Sequence, residues 1–268
     1  MSLTLVCAFI CLGGALLSLW IKKDPKIWGT LTALSLLLGV IAGYVTPFAF
    51  LCALLLAMGW IFYHKAPNVS LFTILIGLSL SFKLFCPGFI PFMMTSKFGI
   101  GLKNPLLGLF PLALFVPVAR GKKDVLSIVK GLAAGCGGIL CLIMLALLTG
   151  AVQWDVKIPS YTGIRFCSNL LFTSAPEEGF YRGFIQKTLC DYLKKVKGGN
   201  IIALILSSLL FALSHIYWSP NVGILVFTFL TGLLYGGVYL FSGKIESAIL
   251  CHFLFNVIHM TFFSYHAM

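Results

Sequence analysis

Long apolar runs separated by short polar loops make up most of this sequence, and they constrain its fold more than any other feature. Hydrophobic residues make up 60% of the 268 residues, and charged residues only 10%. A typical soluble domain has roughly 25% charged residues. A run of about twenty apolar residues can cross the hydrocarbon core of a bilayer as a helix. The sequence therefore excludes a water-soluble globular protein and predicts an all-α, polytopic transmembrane helical bundle.

Windows of that length give about ten predicted spans along the chain. They cover residues 3–21, 28–44, 47–63, 69–85, 105–119, 125–150, 167–189, 201–218, 221–241 and 247–265. The stretch between Pro87 and Pro105 is broken by prolines, which makes it a candidate re-entrant segment that would change the number of crossings.

The basic residues cluster in loops between the predicted spans. The formal net charge is +12, which in a soluble protein would suggest a nucleic-acid partner. Here the lysines and arginines cluster in short loops, around residues 22–26, 120–123 and 194–197. That is the positive-inside pattern of membrane proteins. We expect these loops to be cytoplasmic, both termini to lie on the opposite side, and nucleic acid not to be a partner.

Ionisable residues divide the chain into two parts. Before residue 150 the spans are almost wholly apolar, and Lys83 and Lys130, near span ends, are interpreted as side chains that snorkel to the interface. After residue 166, ionisable side chains enter the middle of spans, where they usually mark a functional site. We therefore predict N-terminal spans of unknown role at 1–165, a catalytic core at 166–262 and a C-terminal tail at 263–268.

Two adjacent acids, Glu177 and Glu178, lie deep inside one predicted span. A carboxylate at the bilayer centre costs at least about 2.5 to 3.5 kcal/mol on insertion scales, so the pair needs compensation. Arg182 is four residues after Glu178, the favourable order for an ion pair on one helix face. Glu177 points about 100° away and has no obvious local partner, which leaves it available to a cavity. Pro176 cannot bond to the carbonyl of Phe172, so the helix is expected to bend there and to favour trapped water.

Polar residues also occur in two later spans. His215 lies towards the non-cytoplasmic end of its span, whereas His252 lies nearer the cytoplasmic end of the last span. Asn256 follows His252 by four residues, and His259 extends the same face by another turn. Three polar groups on one stripe of an apolar helix indicate a cavity rather than a lipid-facing surface.

Three ordered motifs in these spans resemble those of the CPBP family, the group of CAAX prenyl proteases and bacteriocin-processing enzymes also called Abi. The motifs are Glu177-Glu178-x-x-x-Arg182, Phe211-x-x-x-His215 and His252-x-x-x-Asn256. Each motif alone is weak, but all three occur in order on separate predicted helices. The resemblance covers about residues 165–260, and the N-terminal spans carry no recognisable motif.

The resemblance implies a glutamic-type intramembrane endopeptidase. By that likeness, Glu177 is the base that activates water and His215 positions the water and exchanges protons. His252 and Asn256 would donate hydrogen bonds to the oxyanion. Glu178, paired with Arg182, would fix the orientation of the helix. A carboxylate base and preorganised donors in a dry site suit peptide-bond hydrolysis.

Other readings of the same residues stay open at this stage. Two Glu and two His are also zinc-ligand types, so a metal-dependent membrane protease is an alternative, although no His-Glu-x-x-His motif is present. The buried acids and histidines would also suit a proton- or ion-coupled transporter, and a non-catalytic scaffold would use them for helix packing alone. We expect no cofactor, with metal dependence left open.

The expected partners are the lipid bilayer and a membrane-associated protein or leader peptide as substrate. The compact chain shows no evident targeting segment and looks bacterial, which makes a prenylated CAAX substrate the weaker choice. We therefore expect a multi-pass protein of the bacterial inner (cytoplasmic) membrane.

Overall fold

The computed structural model describes residues 2–96, 98–216 and 221–265, and this part of the chain is mainly helical. In chain order the helices are α1 (Leu3–Ile21), α2 (Pro25–Ile41), α3 (Pro47–Lys65), α4 (Val69–Phe85), α5 (Lys103–Leu114), α6 (Lys122–Leu148), α7 (Thr162–Ser168), α8 (Ala175–Phe180), α9 (Lys187–Tyr192), α10 (Gly199–Leu213), α11 (Val222–Ser242) and α12 (Ile245–Phe262). Each predicted span overlaps a helical segment, so the all-α transmembrane class is confirmed. The end of the predicted span 201–218 lies outside the described residues.

Helix length separates full spans from shorter helices. Within the described residues, five helices are long and apolar enough to cross a membrane: α1, α3, α6, α11 and α12. The apolar helices α2, α4 and α10 are shorter. Helix α5 has only 12 residues, or about 18 Å at 1.5 Å per residue, against about 30 Å of hydrocarbon. The predicted full span at 105–119 is therefore wrong in length, because Phe115 ends the helix early.

In the described part of the chain, four short strands lie within stretches expected to be loops or span ends. Strands β1 (Phe92–Thr95) and β2 (Phe98–Ile100) form an antiparallel hairpin. Strand β3 (Val152–Trp154) pairs antiparallel with β4 (Phe263–Tyr265). The last predicted span, 247–265, is therefore too long, since the helix ends at Phe262 and the chain becomes extended. Within the predicted tail at 263–268, residues 266–268 lie outside the described residues.

The chain divides into two compact units. The first contains the residues up to Pro117 together with Leu171–Phe180, and the second contains Val118–Leu170 and the residues from Tyr181 onward. The boundary between 165 and 166 drawn from the positions of ionisable residues concerns function, and it stays a prediction.

The starts of the first four helices are fixed by side-chain caps. Oxygen atoms of Ser2, Asp24, Thr46 and Asn68 each accept a backbone N–H from the first turn of α1, α2, α3 and α4, respectively. Proline follows two of these caps at the start of α2 and α3, where its missing N–H costs nothing. These polar residues satisfy backbone groups that lipid could not satisfy.

Helix α5 is the buried element of the first unit. All residues from Pro105 to Ala113 are buried, so this helix is covered on every side. It packs most extensively against α8. At that contact a Cβ atom on Gly108 would collide with the backbone of Pro176, and Gly179 lies against Leu112. The two helices approach so closely because glycine occupies both positions.

Helices α6, α10, α11 and α12 make up most of the second unit. Helix α6 packs against α11 and α12, and α10 packs against α11. A Cβ atom on Gly131 would come within 3 Å of Ser242 and Ser247, and one on Gly135 would lie 2.7 Å from Cys251 Sγ. Glycines spaced four apart thus give α6 the flat face that close packing between helices in a membrane requires.

The helical segment Thr162–Tyr192 is not a regular α-helix throughout. Residues Asn169–Ser174 and Tyr181–Gln186 are π-helical and flank α8. Pro176 lies just inside α8, where a regular helix would lose one backbone bond. π-Helical turns of this kind occur frequently at functional sites. The expected bend at Pro176 stays a prediction.

Candidate active site

The two predicted acids lie in the first unit, on α8. Glu177 is 5% exposed and Glu178 is fully buried. Burial of this kind is costly for a carboxylate unless charged or polar groups compensate it. Both acids are thus buried, as the sequence predicts, and their charge needs compensation from neighbouring groups.

Lys83 of α4 provides that compensation for Glu177. Its Nζ atom lies 3.2 Å from Glu177 Oε1 and donates a hydrogen bond to it. The two side chains are only 9% and 7% exposed. The interpretation of Lys83 as a snorkelling side chain is therefore wrong, since its ammonium group points to a buried carboxylate. The partners are 94 positions apart in the sequence, which explains why no local spacing rule identified the pair.

In the second unit, three of the predicted residues surround the ring of Phe211. The guanidinium carbon of Arg182 lies 4.6 Å from the ring centroid. The rings of His215 and His252 lie 4.7 and 6.0 Å from it, centroid to centroid. The structure thus brings together two histidines that the span limits placed at different depths. Phe211, noted in the sequence only as part of a motif, is the side chain that joins them.

His215 lies in the turn after α10 rather than on the helix, because α10 ends at Leu213. Its Nδ1 atom lies 2.7 Å from the carbonyl oxygen of Phe211. A carbonyl can only accept, so Nδ1 carries the hydrogen, and the neutral ring presents Nε2 as its acceptor. Nε2 is therefore the atom of His215 that would exchange protons in the predicted role.

Ser214 supports the same turn. Its hydroxyl donates to the Phe211 carbonyl at 2.8 Å and accepts a hydrogen bond from Tyr181 Oη at 2.6 Å. The His215 ring nitrogen Nδ1 lies 3.3 Å from this hydroxyl. These side-chain hydrogen bonds add to the backbone hydrogen bonds of the turn, and together they give His215 a defined orientation.

His252 and Asn256 lie on one face of α12, as predicted. His252 is buried, and its ring stacks on Tyr235 of α11 with centroids 4.6 Å apart and planes 12° apart. Asn256 and His259 follow on the same helix and are half-buried. The stacking on Tyr235 and the perpendicular contact with Phe211 restrict the rotation of the His252 ring.

Arg182 is fully buried among aromatic rings of the second unit. Its Nη2 atom donates to the carbonyl of Gly232 at 2.9 Å, and Gln186 Nε2 donates to the carbonyl of Gly236 at 3.0 Å. Two side chains of the π-helical stretch thus bind two carbonyls one turn apart on α11. The pairing of Glu178 with Arg182 stays a prediction.

A comparison with protein families gives a match for the part of the chain that contains these residues. Residues 159–258 match the family model described as type II CAAX prenyl endopeptidase, Rce1-like. This segment is similar to that family. The resemblance drawn from the three motifs is therefore confirmed. Comparisons with curated proteins and with solved structures gave no match.

The Rce1-like segment contains all six predicted site residues and excludes Lys83 and α5. Its members are endopeptidases, so the protein is an enzyme of the protease class and, given its apolar helices, a membrane protein. Within residues 2–96, 98–216 and 221–265, no group of three or more His, Cys, Asp and Glu side chains is arranged to hold a metal ion.

The sequence alone did not indicate the contacts of three residues with the predicted site residues. Lys83 pairs with Glu177, Tyr235 stacks on His252, and Ser214 lies beside His215. A lysine inside an apolar helix was a usable signal, because charges within membrane spans usually pair. Tyr235 gave no signal, since an aromatic residue in an apolar helix is ordinary. Ser214 directly precedes His215, but its role depends on where α10 ends.

Replacing Tyr235 tests the stacking with His252. We expect Tyr235→Leu to be less stable than Tyr235→Phe by about 1 kcal/mol, because only phenylalanine keeps the aromatic stack. Thermal unfolding of the two purified variants in the same detergent measures the difference. Equal midpoints for the two variants would show that the stack contributes nothing to stability.

Proposed function

We propose that this protein is an intramembrane endopeptidase that hydrolyses a peptide bond with a glutamate-activated water. The proposal rests on one observation above all. Within a segment of an endopeptidase family, Glu177 is a buried carboxylate with an ammonium group 3.2 Å away. A buried carboxylate that stays charged is the kind of base that can take a proton from water.

In the proposed reaction, Glu177 accepts a proton from water as the water oxygen attacks the carbonyl carbon of the scissile bond. The carbonyl oxygen becomes an oxyanion, which accepts hydrogen bonds from His252 and Asn256. Collapse of this intermediate breaks the carbon–nitrogen bond. The proton that Glu177 took from water passes to Nε2 of His215 and from there to the leaving amine, which returns both residues to their starting protonation states. The bond from His215 Nδ1 to the Phe211 carbonyl supports this assignment, because it fixes the tautomer.

Glu178 and Arg182 have a supporting role in this proposal. Arg182 binds the carbonyl of Gly232 and lies over the Phe211 ring. Arg182 can therefore orient the π-helical stretch that follows the two acids. A buried guanidinium in an aromatic environment is also expected to pair with a carboxylate, for which Glu178 is the nearest acid in sequence.

The proposed substrate is a membrane-associated protein or a leader peptide, and the proposed location is the bacterial inner membrane. Burial of the acid favours a substrate that enters from the bilayer rather than a soluble polypeptide. The description of the matched family suggests a different substrate, a prenylated C-terminal peptide. The position of the cleavage site distinguishes this substrate from a leader peptide.

The test compares the peptide termini in membranes from cells that make wild-type protein, Glu177→Gln or His215→Ala at matched abundance. We expect a set of termini that appears with the wild type and is absent with both variants. Cleavage next to a prenylated cysteine would identify a CAAX substrate, and cleavage after a leader would identify a processing enzyme. Identical termini in all three samples, with all three proteins folded, would contradict the proposed function.

Two further measurements address the alternative readings. Loss of cleavage on treatment with a chelator, restored by Zn²⁺, would replace the glutamate mechanism by a metal-dependent one. Proton-coupled flux in proteoliposomes that Glu177→Gln abolishes, without any cleavage, would indicate a transporter.

A further inference from the structure

The ion pair between Lys83 and Glu177 joins an element outside the family segment to the proposed base. Lys83 lies in the last turn of α4, where the helix dipole favours a cation. Its Nζ atom lies 3.2 Å from Oε1 of Glu177, and both side chains are more than nine-tenths buried. Both residues belong to the first unit.

Burial makes the charge state of Glu177 dependent on its surroundings. A buried carboxylate far from a compensating cation is more stable with a proton bound, because desolvation penalises only the charged form. A protonated carboxyl cannot accept the proton of an attacking water. The proposed reaction therefore needs a positive charge beside Glu177, and Lys83 supplies one.

Stability alone is a weak explanation for such a pair. Replacing a buried ion pair with apolar residues of similar volume is often neutral or stabilising, whereas removing one partner alone is harmful. A lysine in an otherwise apolar helix is thus better explained by the need to keep the neighbouring carboxylate of Glu177 charged. Helix α4 is apolar apart from its serines, a threonine and this lysine, which makes the position specific.

We infer that Lys83 is a positioning residue for the proposed base: its ammonium group holds Glu177 ionised and fixes the carboxylate through Oε1. This inference rests on the proposed function. It assigns the N-terminal spans, which carry no recognisable motif, a direct part in preparing the catalytic acid.

Infrared difference spectroscopy tests the charge state without any substrate. We compare wild type, Lys83→Met, Lys83→Arg and the double variant Lys83→Met/Glu177→Gln at neutral pH. The C=O stretching band of a protonated carboxyl should appear in Lys83→Met and be absent from wild type and from Lys83→Arg. It should also be absent from the double variant, which assigns the band to Glu177. A protonated Glu177 in the wild type, or no band in Lys83→Met, would overturn the inference.

Kinetics then test the consequence for catalysis. We expect Lys83→Met to lower kcat by about 10²-fold or more with KM changed little, because the substrate still binds while the base is neutral. Lys83→Arg should keep most of the activity, since it keeps the charge. Lys130→Met is the matched control, because Lys130 lies in the apolar helix α6 with an exposed side chain, and it should behave like wild type.

The outcomes separate this inference from the proposed function. Full activity in Glu177→Gln would contradict the glutamate mechanism itself. An inactive Glu177→Gln beside a fully active Lys83→Met would contradict only the role of Lys83. If Lys83→Met does not fold, the inference is judged on Lys83→Arg and the double variant. The double variant should fold, since neither member of the Lys83–Glu177 pair remains charged, and Lys83→Arg should remain active. Failure of either expectation would overturn the inference.

Discussion

Glu177→Gln should lower kcat by about 10² to 10⁴-fold while KM changes little. The amide is nearly isosteric with the carboxylate but cannot accept a proton from water, so only the transition state loses stabilisation. The measurement uses purified protein with a peptide that spans a cleavage site identified in membranes. The amide also removes the negative charge next to Lys83, so unfolding midpoints must accompany the rates.

Asp191→Asn is the matched control for removing one carboxylate from the same helical segment. Asp191 is exposed and pairs with Lys187 one turn away at 3.4 Å. Surface pairs of this kind contribute little, so the variant should keep wild-type rates. Equal loss of activity in Asp191→Asn and Glu177→Gln would mean that the effect is not specific to the buried acid.

Gly108→Ala should destabilise the protein by about 3 kcal/mol or more and lower activity at the same time. The added Cβ atom would collide with the backbone of Pro176, which cannot move aside like a flexible side chain. Pro176 directly precedes the two acids on α8, so relief of the collision must displace them. Thermal unfolding and kcat together measure the two effects.

Gly77→Ala gives the opposite expectation from the same chemical change. Gly77 lies in the interior of α4, is exposed, and has no atom within 4 Å of an added Cβ. Alanine should therefore stabilise this helix by up to about 1 kcal/mol. A Gly108→Ala variant as stable as Gly77→Ala would mean that α5 and α8 do not pack as closely as described.

The sequence was informative where the physics is local. Span 69–85 matches α4 to the residue, because the apolar run is bounded by a capping asparagine and by a Cys-Pro sequence. The family was recognisable because its motifs are short and lie on separate helices. The stripe of His252 and Asn256 followed from helical periodicity alone.

Contacts over long sequence separations could not be predicted in the same way. No spacing rule relates Lys83 to Glu177, or Tyr235 to His252, because those pairs depend on which helices become neighbours. The end of α10 before His215 was missed because apolar and aromatic residues resume in the sequence directly after Ser214 and His215. Its turn is held by Ser214 and Tyr181, whose roles only the packed structure reveals.

The close contact between Gly108 and Pro176 has a consequence for how this enzyme type can be engineered. The Rce1-like segment begins at residue 159, yet α8 inside it is packed on α5, some sixty residues upstream. The matched segment therefore cannot be transplanted as an independent module. A chimaera that joins this segment to foreign N-terminal helices would need a helix with glycine at the position of Gly108. Without it, α8 and its two acids would lose the close packing that α5 provides.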